Sequence, residues 1–475
     1  MRITVIGGGP GGYTAAFEAA RRGCTVTLIE QKALGGTCLN HGCIPTKALR
    51  ASADAMTLAT RLTEYGITGC SAPAIDLNAV RERKERIISI LQNGLEKTCA
   101  HLKVTLLQGT GRIVDAHTVS VQSEGKENHI VGDAVIIATG SHVQPLPGLS
   151  FDHTHILSSD DALELQRVPA NIVIVGGGVI GCEMASIYRT FGSNVTIIEG
   201  LDALLPMPSV DQEVRTLLQK EMRKQKIRIL TGKTLTDVRV ENGIVQGTAI
   251  PSPFLPPSAN AESTPVAADM VLVTVGRSPA TRQLGLAEAG IAVNKRGWII
   301  VDETLQTSVP GIYAVGDILG PEHVMLAHVA AWEGLRVVET LCTSPAPVRY
   351  DAMPSAIFTS PEIASVGLSE AQARDSGRNV VCGMVPMRVL GKAHAMGELP
   401  GFFKVVAETQ SGRLLGVHIV GAHASDMVAE ACLALTAGLN VQQLAQTVHA
   451  HPTLAEGLYE AARVACHAME AASHP

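Results

Sequence analysis

Short apolar runs alternate with glycine clusters in the N-terminal part of the chain. Residues 2–6 form one apolar run, glycines dominate residues 7–12, and an alanine-rich segment with helical spacing extends over Tyr13–Arg22. An apolar run followed by glycines and then by a helical pattern predicts a strand, a tight turn and a helix. A second strand is predicted over Thr25–Ile29, and it ends at the acidic Glu30.

The same arrangement recurs farther along the chain. A strand is predicted over Asn171–Val175, glycines occupy much of residues 176–181, and the run Val195–Ile198 ends at Glu199. The spacing from the first glycine to the acidic residue is equal in the two copies, since 30 − 7 and 199 − 176 are both 23. Such glycines let the backbone approach a pyrophosphate, and the acidic residue accepts hydrogen bonds from a ribose. We therefore predict two dinucleotide sites, formed by Gly7, Gly9, Gly12 and Glu30 and by Gly176, Gly178, Gly181 and Glu199.

Later apolar runs complete these units and then change in character. Val135–Gly140 and Val271–Arg277 each predict a buried strand that closes one unit. In the C-terminal part the glycine loops stop, and strand-like runs precede an apolar helix, at Phe402–Ala407, Leu414–Val420 and Ser425–Leu439. The predicted fold class is α/β, with two Rossmann-like dinucleotide-binding domains and a C-terminal α+β interface domain. The predicted segments are residues 1–147, 148–276, 277–345 and 346–475.

Composition narrows the class of protein. The 475 residues are 46% hydrophobic and 17% charged, which is typical of a globular chain of several domains. A net charge of −6, without basic runs or an apolar run of membrane-spanning length, predicts neither nucleic-acid nor membrane partners. Ten scattered cysteines do not form a secreted disulfide framework, and Met1–Ile6 leave no room for a signal peptide, so we predict a cytoplasmic location. Five prolines in Pro251–Pro265 predict a surface loop.

Two cysteines stand out within the segment Gly35–Lys47. Cys38 and Cys43 are separated by four residues, and Cys43 begins a predicted helix that extends to Met56. Thiolates are the reactive form of cysteine, and a helix N-terminus or a cation such as Lys47 favours them. The pair is compatible with a redox site and with inert buried thiols. A structural zinc site would need further ligands, which the neighbouring sequence lacks.

The C-terminal region supplies a candidate base. His451 and Glu456 lie five residues apart, and His449 precedes them. An imidazole can take a proton from a thiol near neutral pH, and a carboxylate on its far nitrogen fixes the tautomer. A surface histidine at the turn before Pro452 is the alternative interpretation.

The cysteine segment is similar to that of a known enzyme family. The thirteen residues Gly35–Lys47 resemble the redox-active segment of the pyridine nucleotide-disulfide oxidoreductases, and the ending Cys-Ile-Pro-Thr-Lys is most similar to dihydrolipoyl dehydrogenases. Further motifs of the family stand at residues 5–15, 172–184, 311–317 and 449–456. The resemblance implies a redox disulfide between Cys38 and Cys43. In the family the first thiol exchanges with substrate and the second lies against a flavin.

The resemblance also implies two cofactors. The first glycine unit is expected to bind FAD, the second is expected to bind NAD, and residues 277–345 are expected to complete the FAD site. Glu199 favours NAD over NADP, because a 2′-phosphate would meet a carboxylate. Glu183 is expected to pair with Lys47 near the flavin, and His328 is equally compatible with a packing role. Further expected cofactor ligands are Lys47, Thr139, Gly140, Asp317 and His328 for FAD and Gly276 for NAD.

The activity implied by the resemblance is the oxidation of dihydrolipoamide, or of protein-bound dihydrolipoyl groups, with reduction of NAD. His451 would be the acid–base residue, Glu456 would orient it, and His449 would support it. In the family this histidine reaches the disulfide of the other subunit, so the resemblance implies a homodimer. A lipoyl-bearing acyltransferase or a glycine cleavage H-type protein is the implied carrier of the substrate.

Two alternatives remain open. A glutathione-type disulfide reductase is disfavoured by Glu199 and by the small Val179, where such enzymes usually carry an aromatic residue. The chain could instead serve mainly as a docking subunit of a 2-oxoacid dehydrogenase or glycine cleavage complex. The presence of a full set of catalytic residues speaks against that role, namely Cys38, Cys43, Lys47, Glu183, His451 and Glu456.

Overall fold

The computed structural model describes residues 1–69, 72–256 and 262–473. The chain forms two compact units, and each is built from separate segments. The first unit comprises residues 1–145, 158–167 and 276–348, and the second comprises residues 146–157, 168–275 and 349–475. The domain boundaries proposed from the sequence, at residues 147, 276 and 345, stay predictions.

A five-stranded parallel sheet forms the centre of the first unit. Its strands are, in spatial order, Ile312–Ala314, Ala134–Ile137, Arg2–Ile6, Thr25–Glu30 and Thr105–Gln108. In the central strand, Val5 lies beside Leu28 on one side and Ile136 on the other. All three side chains are buried, as expected of parallel strands that are covered on both faces.

Helices and small sheets surround this parallel sheet. The first helix begins at Pro10, three residues before the predicted start, because proline is well suited to the first helical position. The α-helices are Pro10–Arg21, Gly36–His41, Cys43–Thr60, Leu77–His101, Ser159–Ala162 and Ala327–Cys342, with 3₁₀ turns at Leu62–Tyr65 and Gly316–Leu319. Antiparallel strands are Thr110–Ile113, Thr118–Ser123 and Lys126–Val131 in one sheet and Ser141–Val143 and Arg277–Pro279 in another.

Two helices of the first unit, Pro10–Arg21 and Ala327–Cys342, pack very closely. A Cβ atom at Gly334 would lie 2.5 Å from the backbone oxygen of Gly11, and one at Gly11 would lie 3.2 Å from that of Ala330. The two helices run in the same direction. Gly11, near the start of the first helix, lies against Ala330 and Gly334 in the first half of the second, and the sulfurs of Cys24 and Cys342 meet at the far ends. The glycines therefore allow a backbone approach that any larger residue would prevent.

The second unit contains a parallel sheet of the same kind. Its strands are, in spatial order, Arg228–Thr231, Asn194–Glu199, Asn171–Val175, Met270–Val273 and Ile156–Leu157, with helices Val179–Phe191 and Gln212–Lys224. A three-stranded antiparallel sheet follows, formed by Lys233–Glu241, Ile244–Pro251 and Thr264–Ala268. The loop was predicted over Pro251–Pro265, but the last strand of this sheet already begins at Thr264. Residues 257–261 of the loop lie outside the described residues. Pro265 is tolerated because its strand lies at the sheet edge.

The C-terminal part of the second unit is an antiparallel sheet with helices. The strands are, in spatial order, Ser355–Ile357, Ile363–Gly367, Leu414–Val420, Phe402–Glu408 and Val380–Pro386. The helices are Glu370–Asp375, Gly391–Met396, Ala424–Thr436, Val441–Gln446 and Glu456–Ser473, with a 3₁₀ turn at Met387–Val389. Phe403, Val405 and Ile419 lie in the core of this part. The predicted fold class is confirmed. Across the described ranges, no helix has the length and apolar character needed to cross a membrane.

Candidate active site

The outer glycines of both glycine loops are required by the backbone. Gly7 has φ of +103°, and a Cβ there would lie 2.3 Å from a backbone oxygen, while one at Gly12 would lie 1.8 Å from the Gly7 oxygen. Gly176 has φ of +108°, and the corresponding distances at Gly176 and Gly181 are 2.6 and 2.0 Å. Any side chain at these positions would open the turn or push the helix away from the strand.

The middle glycines leave space at the N-termini of the two helices. A Cβ at Gly178 would meet no described atom within 4 Å, and one at Gly9 would meet only the α-carbon of Gly36, at 3.8 Å. Both loops therefore present open backbone where helix amides can bind a pyrophosphate. The residues present fit one dinucleotide in each unit.

The two acidic residues have the same hydrogen-bonding arrangement. Glu30 accepts a hydrogen bond from the Gly8 amide at 2.7 Å and one from the Lys32 amide at 2.8 Å. Glu199 accepts the equivalent bonds from Gly177 at 2.6 Å and from Leu201 at 2.8 Å. A carboxylate has about four lone-pair sites, so each can still accept bonds from ribose hydroxyls.

The cysteine segment forms two consecutive helices. Cys38 lies in the short helix Gly36–His41, and Cys43 is the first residue of the helix Cys43–Thr60, as predicted. Both side chains are half-buried. A hydrogen bond with the Cys43 sulfur, followed by burial, raises the pKa of Cys38 well above its ordinary value, and the charge of Lys47 acts in the opposite direction. The two sulfurs therefore behave as one coupled dithiol.

Asn40 fixes the path of this segment, a role that was not predicted from the sequence. Its side-chain amide donates to the backbone oxygens of Ala33, Leu34 and Gly36 at 3.0–3.3 Å. Its side-chain oxygen accepts a hydrogen bond from Gln92 at 2.7 Å. Burial, followed by the charges of Cys38 and Cys43, raises the pKa of the Tyr13 phenol, so this phenol is also a neighbour of the dithiol. No spacing in the sequence signals these contacts.

Asp317 lies in the 3₁₀ turn Gly316–Leu319 and belongs to a polar cluster. The Ser141 hydroxyl donates to its carboxylate at 2.6 Å, and Arg277 donates to the Ser141 hydroxyl at 2.6 Å. The Arg277 guanidinium is 3.7 Å from Asp317. The preceding amide, of Gly316, donates to the buried carboxylate of Glu333 at 2.6 Å. Ser141, Arg277 and Glu333 position the predicted FAD ligand and were not predicted.

Three of the other predicted cofactor ligands, Thr139, Gly140 and Gly276, follow strands, and the fourth, His328, lies at the start of a helix. Thr139 donates a hydrogen bond to the Ala280 oxygen at 3.0 Å, and Gly140 has φ of +71°. Gly276 has φ of +142° and falls in the first unit. His328 is the second residue of the helix Ala327–Cys342 and is exposed.

His451 and Glu456 form the predicted pair. Nδ1 of His451 donates to the Glu456 carboxylate at 2.8 Å, whose other oxygen accepts from the Thr453 amide at 2.8 Å. The hydrogen bond from His451, followed by that from Thr453, lowers the pKa of Glu456. The His451 side chain is 77% exposed. Because Nδ1 carries the proton, Nε2 is the nitrogen that can accept one.

His449 occupies a different environment in the same turn. Its Nδ1 lies 2.9 Å from the Thr447 carbonyl oxygen, and its Nε2 lies 3.0 Å from the Glu430 carboxylate. Only 7% of its side chain is exposed, and its ring packs on that of Tyr459. Both nitrogens are therefore engaged, which suits a supporting role.

The predicted residues are divided between the units. Cys38, Cys43, Lys47, Glu30 and Asp317 belong to the first unit. Those of the second unit include Glu183, Glu199, His451 and Glu456. Glu183 is buried and accepts a hydrogen bond from the Phe358 amide at 2.9 Å. The expected Lys47–Glu183 pair and the expected approach of His451 to the disulfide stay predictions.

Comparisons with known proteins agree with this geometry. Residues 1–334 match the family model for pyridine nucleotide-disulphide oxidoreductases, and residues 353–462 match the dimerisation domain of the same family. Dihydrolipoyl dehydrogenases from Geobacillus stearothermophilus and Haloferax volcanii are 40% and 39% identical, and each alignment covers 97% of this chain and 95% of the relative. The crystal structure of LpdA from Mycobacterium tuberculosis has a TM-score of 0.89 at 27% identity and covers 98% of this chain and 99% of that one. The dimerisation domain supports a homodimer. The chain belongs to the pyridine nucleotide-disulphide oxidoreductases.

Proposed function

We propose that the protein is an NAD-dependent dihydrolipoyl dehydrogenase that oxidises dihydrolipoamide to lipoamide. The observation that carries this proposal is the contact of Cys38 with Cys43, at the start of a helix in the unit whose glycine loop fits a dinucleotide. Relatives of this name match nearly the full length of the chain. The first glycine loop would hold FAD, which would supply an acceptor for the electron pair of the dithiol, and the second would hold NAD, which would supply an acceptor for a hydride.

The proposed exchange of disulfides uses the protein's own residues. Nε2 of His451 takes the proton of one dihydrolipoyl thiol, and the resulting thiolate attacks Sγ of Cys38. The Cys38–Cys43 bond breaks, and Cys43 leaves as a thiolate. The second dihydrolipoyl thiol then attacks the mixed disulfide and its proton passes to the departing Cys38, while His451 keeps the first proton. Lipoamide is released as a cyclic disulfide. The raised pKa of Cys38 supports its protonation in this last step.

Glu199 bears on the choice of nicotinamide cofactor. The Glu199 carboxylate, held by two backbone amides, would repel a 2′-phosphate, which supports NAD. A lipoyl-bearing acyltransferase or a glycine cleavage H-type protein is proposed as the substrate carrier in a cytoplasmic setting. In the dimer, His451 of one subunit is proposed to serve the disulfide of the other.

Steady-state turnover of the purified protein tests the proposal. We expect kcat/KM for dihydrolipoamide with NAD to exceed that for glutathione disulfide with NADPH by at least about a hundredfold. Cys38→Ser is expected to abolish turnover, whereas Cys99→Ser, which changes a buried thiol elsewhere in the unit, is expected to keep it. A preference for glutathione disulfide and NADPH would overturn the assignment.

A further inference from the structure

Two cysteines outside the proposed active site lie against each other. Cys24 follows the helix Pro10–Arg21, and Cys342 is the last residue of the helix Ala327–Cys342. Their sulfurs are 3.8 Å apart, although 318 residues separate them in the chain. Cys24 is half-buried and Cys342 is exposed, so a reagent in solution can reach the pair through Cys342.

The positions of both cysteines are fixed by the backbone around them. The Cys24 amide donates to the Ala19 oxygen at 3.0 Å, and the amide of Thr343, next to Cys342, donates to the Glu339 oxygen at 2.9 Å. The helices Pro10–Arg21 and Ala327–Cys342 are held together by the close approach of Gly11, near the start of the first, to Gly334, in the middle of the second. The sulfurs therefore meet because two closely packed, parallel helices have their C-terminal ends side by side.

The groups around the pair shift the ionisation of Cys342 in both directions. Partial burial, followed by the hydrogen bond and charge of Cys24, raises the pKa of Cys342, whereas Arg22 and the amino terminus act in the opposite direction. Arg22 is itself held by Glu18 at 2.7 Å. The attacking thiolate of Cys342 is therefore more populated as the pH rises.

We propose that Cys24 and Cys342 form a second dithiol site, which small disulfide compounds oxidise to a disulfide between the two helices. The Cys342 thiolate attacks the small disulfide and expels one thiol, which leaves a mixed disulfide on Cys342. The Cys24 thiolate then attacks the Cys342 sulfur and expels the second thiol. One disulfide bond is broken and one is formed, and the two protons of the cysteines pass to the two released thiols. The bond requires the sulfurs to move from 3.8 Å to about 2.0 Å, a distance within reach of side-chain rotation.

Peptide mapping of the FAD-loaded protein tests this site. The protein is reduced, freed of reductant, treated with glutathione disulfide, alkylated and digested with trypsin without reduction. Cleavage at lysine and arginine places Cys24 in residues 23–32, Cys342 in residues 337–349 and both active-site cysteines in residues 33–47. We expect a linked product of peptides 23–32 and 337–349 that disappears on reduction. The active-site disulfide cannot produce it, because both of its cysteines lie in one peptide.

Variants separate the two steps. Cys24→Ser is expected to stop the reaction at Cys342 bearing one glutathione, and Cys342→Ser is expected to leave Cys24 as a free thiol. Cys466→Ser, a half-buried cysteine of the second unit, serves as the matched control and is expected to keep the linked product. Flavin absorbance and turnover under reducing conditions confirm that each variant is folded.

Three outcomes would overturn the proposal. The first is full alkylation of both peptides after treatment. The second is a wild-type protein that stops at the glutathione adduct on Cys342. The third is a product that links two chains, which a gel run without reductant would reveal.

Discussion

Two histidines, separated by one residue, have different surroundings. His449 is almost fully enclosed, with an acceptor at each ring nitrogen. Among the described residues, His451 is hydrogen-bonded through Nδ1, and 77% of its side chain is exposed. A proton acceptor must have a nitrogen that is accessible and not already engaged. The exposed His451 therefore suits the acid–base role, and the enclosed His449 suits a supporting one.

Glu456→Gln tests how far the carboxylate contributes to this base. The amide keeps the size of the side chain but removes the charge that holds Nδ1–H and stabilises the charged ring. We expect kcat for dihydrolipoamide to fall by about tenfold to a hundredfold, with FAD content unchanged. The control is Glu460→Gln, which removes an exposed carboxylate on the same helix, paired with Arg463 at 3.4 Å, and should leave kcat unaltered. Equal effects of the two variants would contradict the assigned role.

Asn40 is expected to act by positioning the cysteine segment. Asn40→Ala removes three donated bonds and one accepted bond, whereas Gln92→Ala removes only the last of these. We expect Asn40→Ala to lower kcat by about tenfold, because a displaced thiol slows the reaction more than it weakens substrate binding. Gln92→Ala should lower kcat by less, because it leaves the three bonds to the backbone in place. The rate of dihydrolipoamide oxidation and the rate of thiol alkylation in residues 33–47 measure both effects. Unchanged rates in Asn40→Ala would disprove this role.

At the scale of elements, close backbone packing connects the first glycine loop to the helix Ala327–Cys342. Gly11 belongs to the loop and helix that fit a dinucleotide. Gly334, in the middle of the helix Ala327–Cys342, lies against it. The backbone oxygen of Gly11 cannot move away without moving the loop. The geometry of the cofactor loop therefore depends on a helix that contributes no glycine motif of its own.

Gly334→Ala is expected to disturb this packing. The new Cβ would lie 2.5 Å from a backbone atom, so the helices must separate, and we expect a loss of about 1–3 kcal/mol in unfolding free energy together with weaker retention of FAD. Gly94→Ala is the matched control, because Gly94 also lies inside a helix and a Cβ there meets no described atom within 4 Å. That variant should be neutral or more stable by up to about 1 kcal/mol. Urea unfolding measures the free energy of unfolding, and flavin release on dilution measures the retention of FAD. Gly334→Ala should lower both, and Gly94→Ala should lower neither.

The elements that the sequence predicted well are those set by local backbone chemistry. The two glycine loops and the helix start at Cys43 follow from φ requirements and periodicity, which neighbouring residues reveal. The role of Asn40 could not be predicted, because it depends on the direction in which the side chain points. The Ser141–Arg277 contact could not be predicted, because the two residues lie far apart in the sequence. The end of the loop at Thr264 was misplaced because an edge strand accepts a proline that a central strand would exclude.

At the scale of the whole chain, a buried lysine joins distant segments of the second unit. Lys404 is 2% exposed and contacts Asp211 at 3.0 Å, Glu213 at 2.9 Å and Glu370 at 2.8 Å. Asp211 caps the helix Gln212–Lys224 and lies 193 residues from Lys404. Burial would lower the pKa of Lys404, but the hydrogen bonds with the three carboxylates raise it above its ordinary value. The ion cluster therefore links the start of the helix Gln212–Lys224 to the C-terminal antiparallel sheet within this unit.

Lys404→Met is expected to destabilise the protein strongly. Methionine fills similar space but leaves three carboxylates without their shared cation, and removing one partner of a buried ion cluster costs about 3–5 kcal/mol. Lys392→Met, at an exposed position of the same sheet-and-helix region, is the control and should change unfolding free energy by less than about 0.5 kcal/mol. The midpoint of urea unfolding at neutral pH compares the two. A Lys404→Met variant as stable as the control would show that the cluster contributes little.

The same cluster predicts a dependence on pH. Burial would raise the pKa of Glu370, but hydrogen bonds from Lys404 and Arg374 lower it from 4.5 to about 2. A carboxyl whose pKa is lowered by folding contributes stability above its unfolded pKa, and this contribution is lost as the pH falls from about 4.5 to about 2. We expect the stability difference between wild type and Lys404→Met to narrow over this interval. A difference that stays constant from neutral pH to pH 3 would contradict the assignment.

The hydrogen bond between Gly177 and Glu199 has a consequence for anyone who wishes to redesign nucleotide preference. The carboxylate that discourages a 2′-phosphate also holds the second glycine turn in shape, through an amide at 2.6 Å. Exchanging Glu199 for a small neutral residue would thus relax the turn while admitting the phosphate. A successful redesign must supply a replacement acceptor for that amide along with the new phosphate contacts.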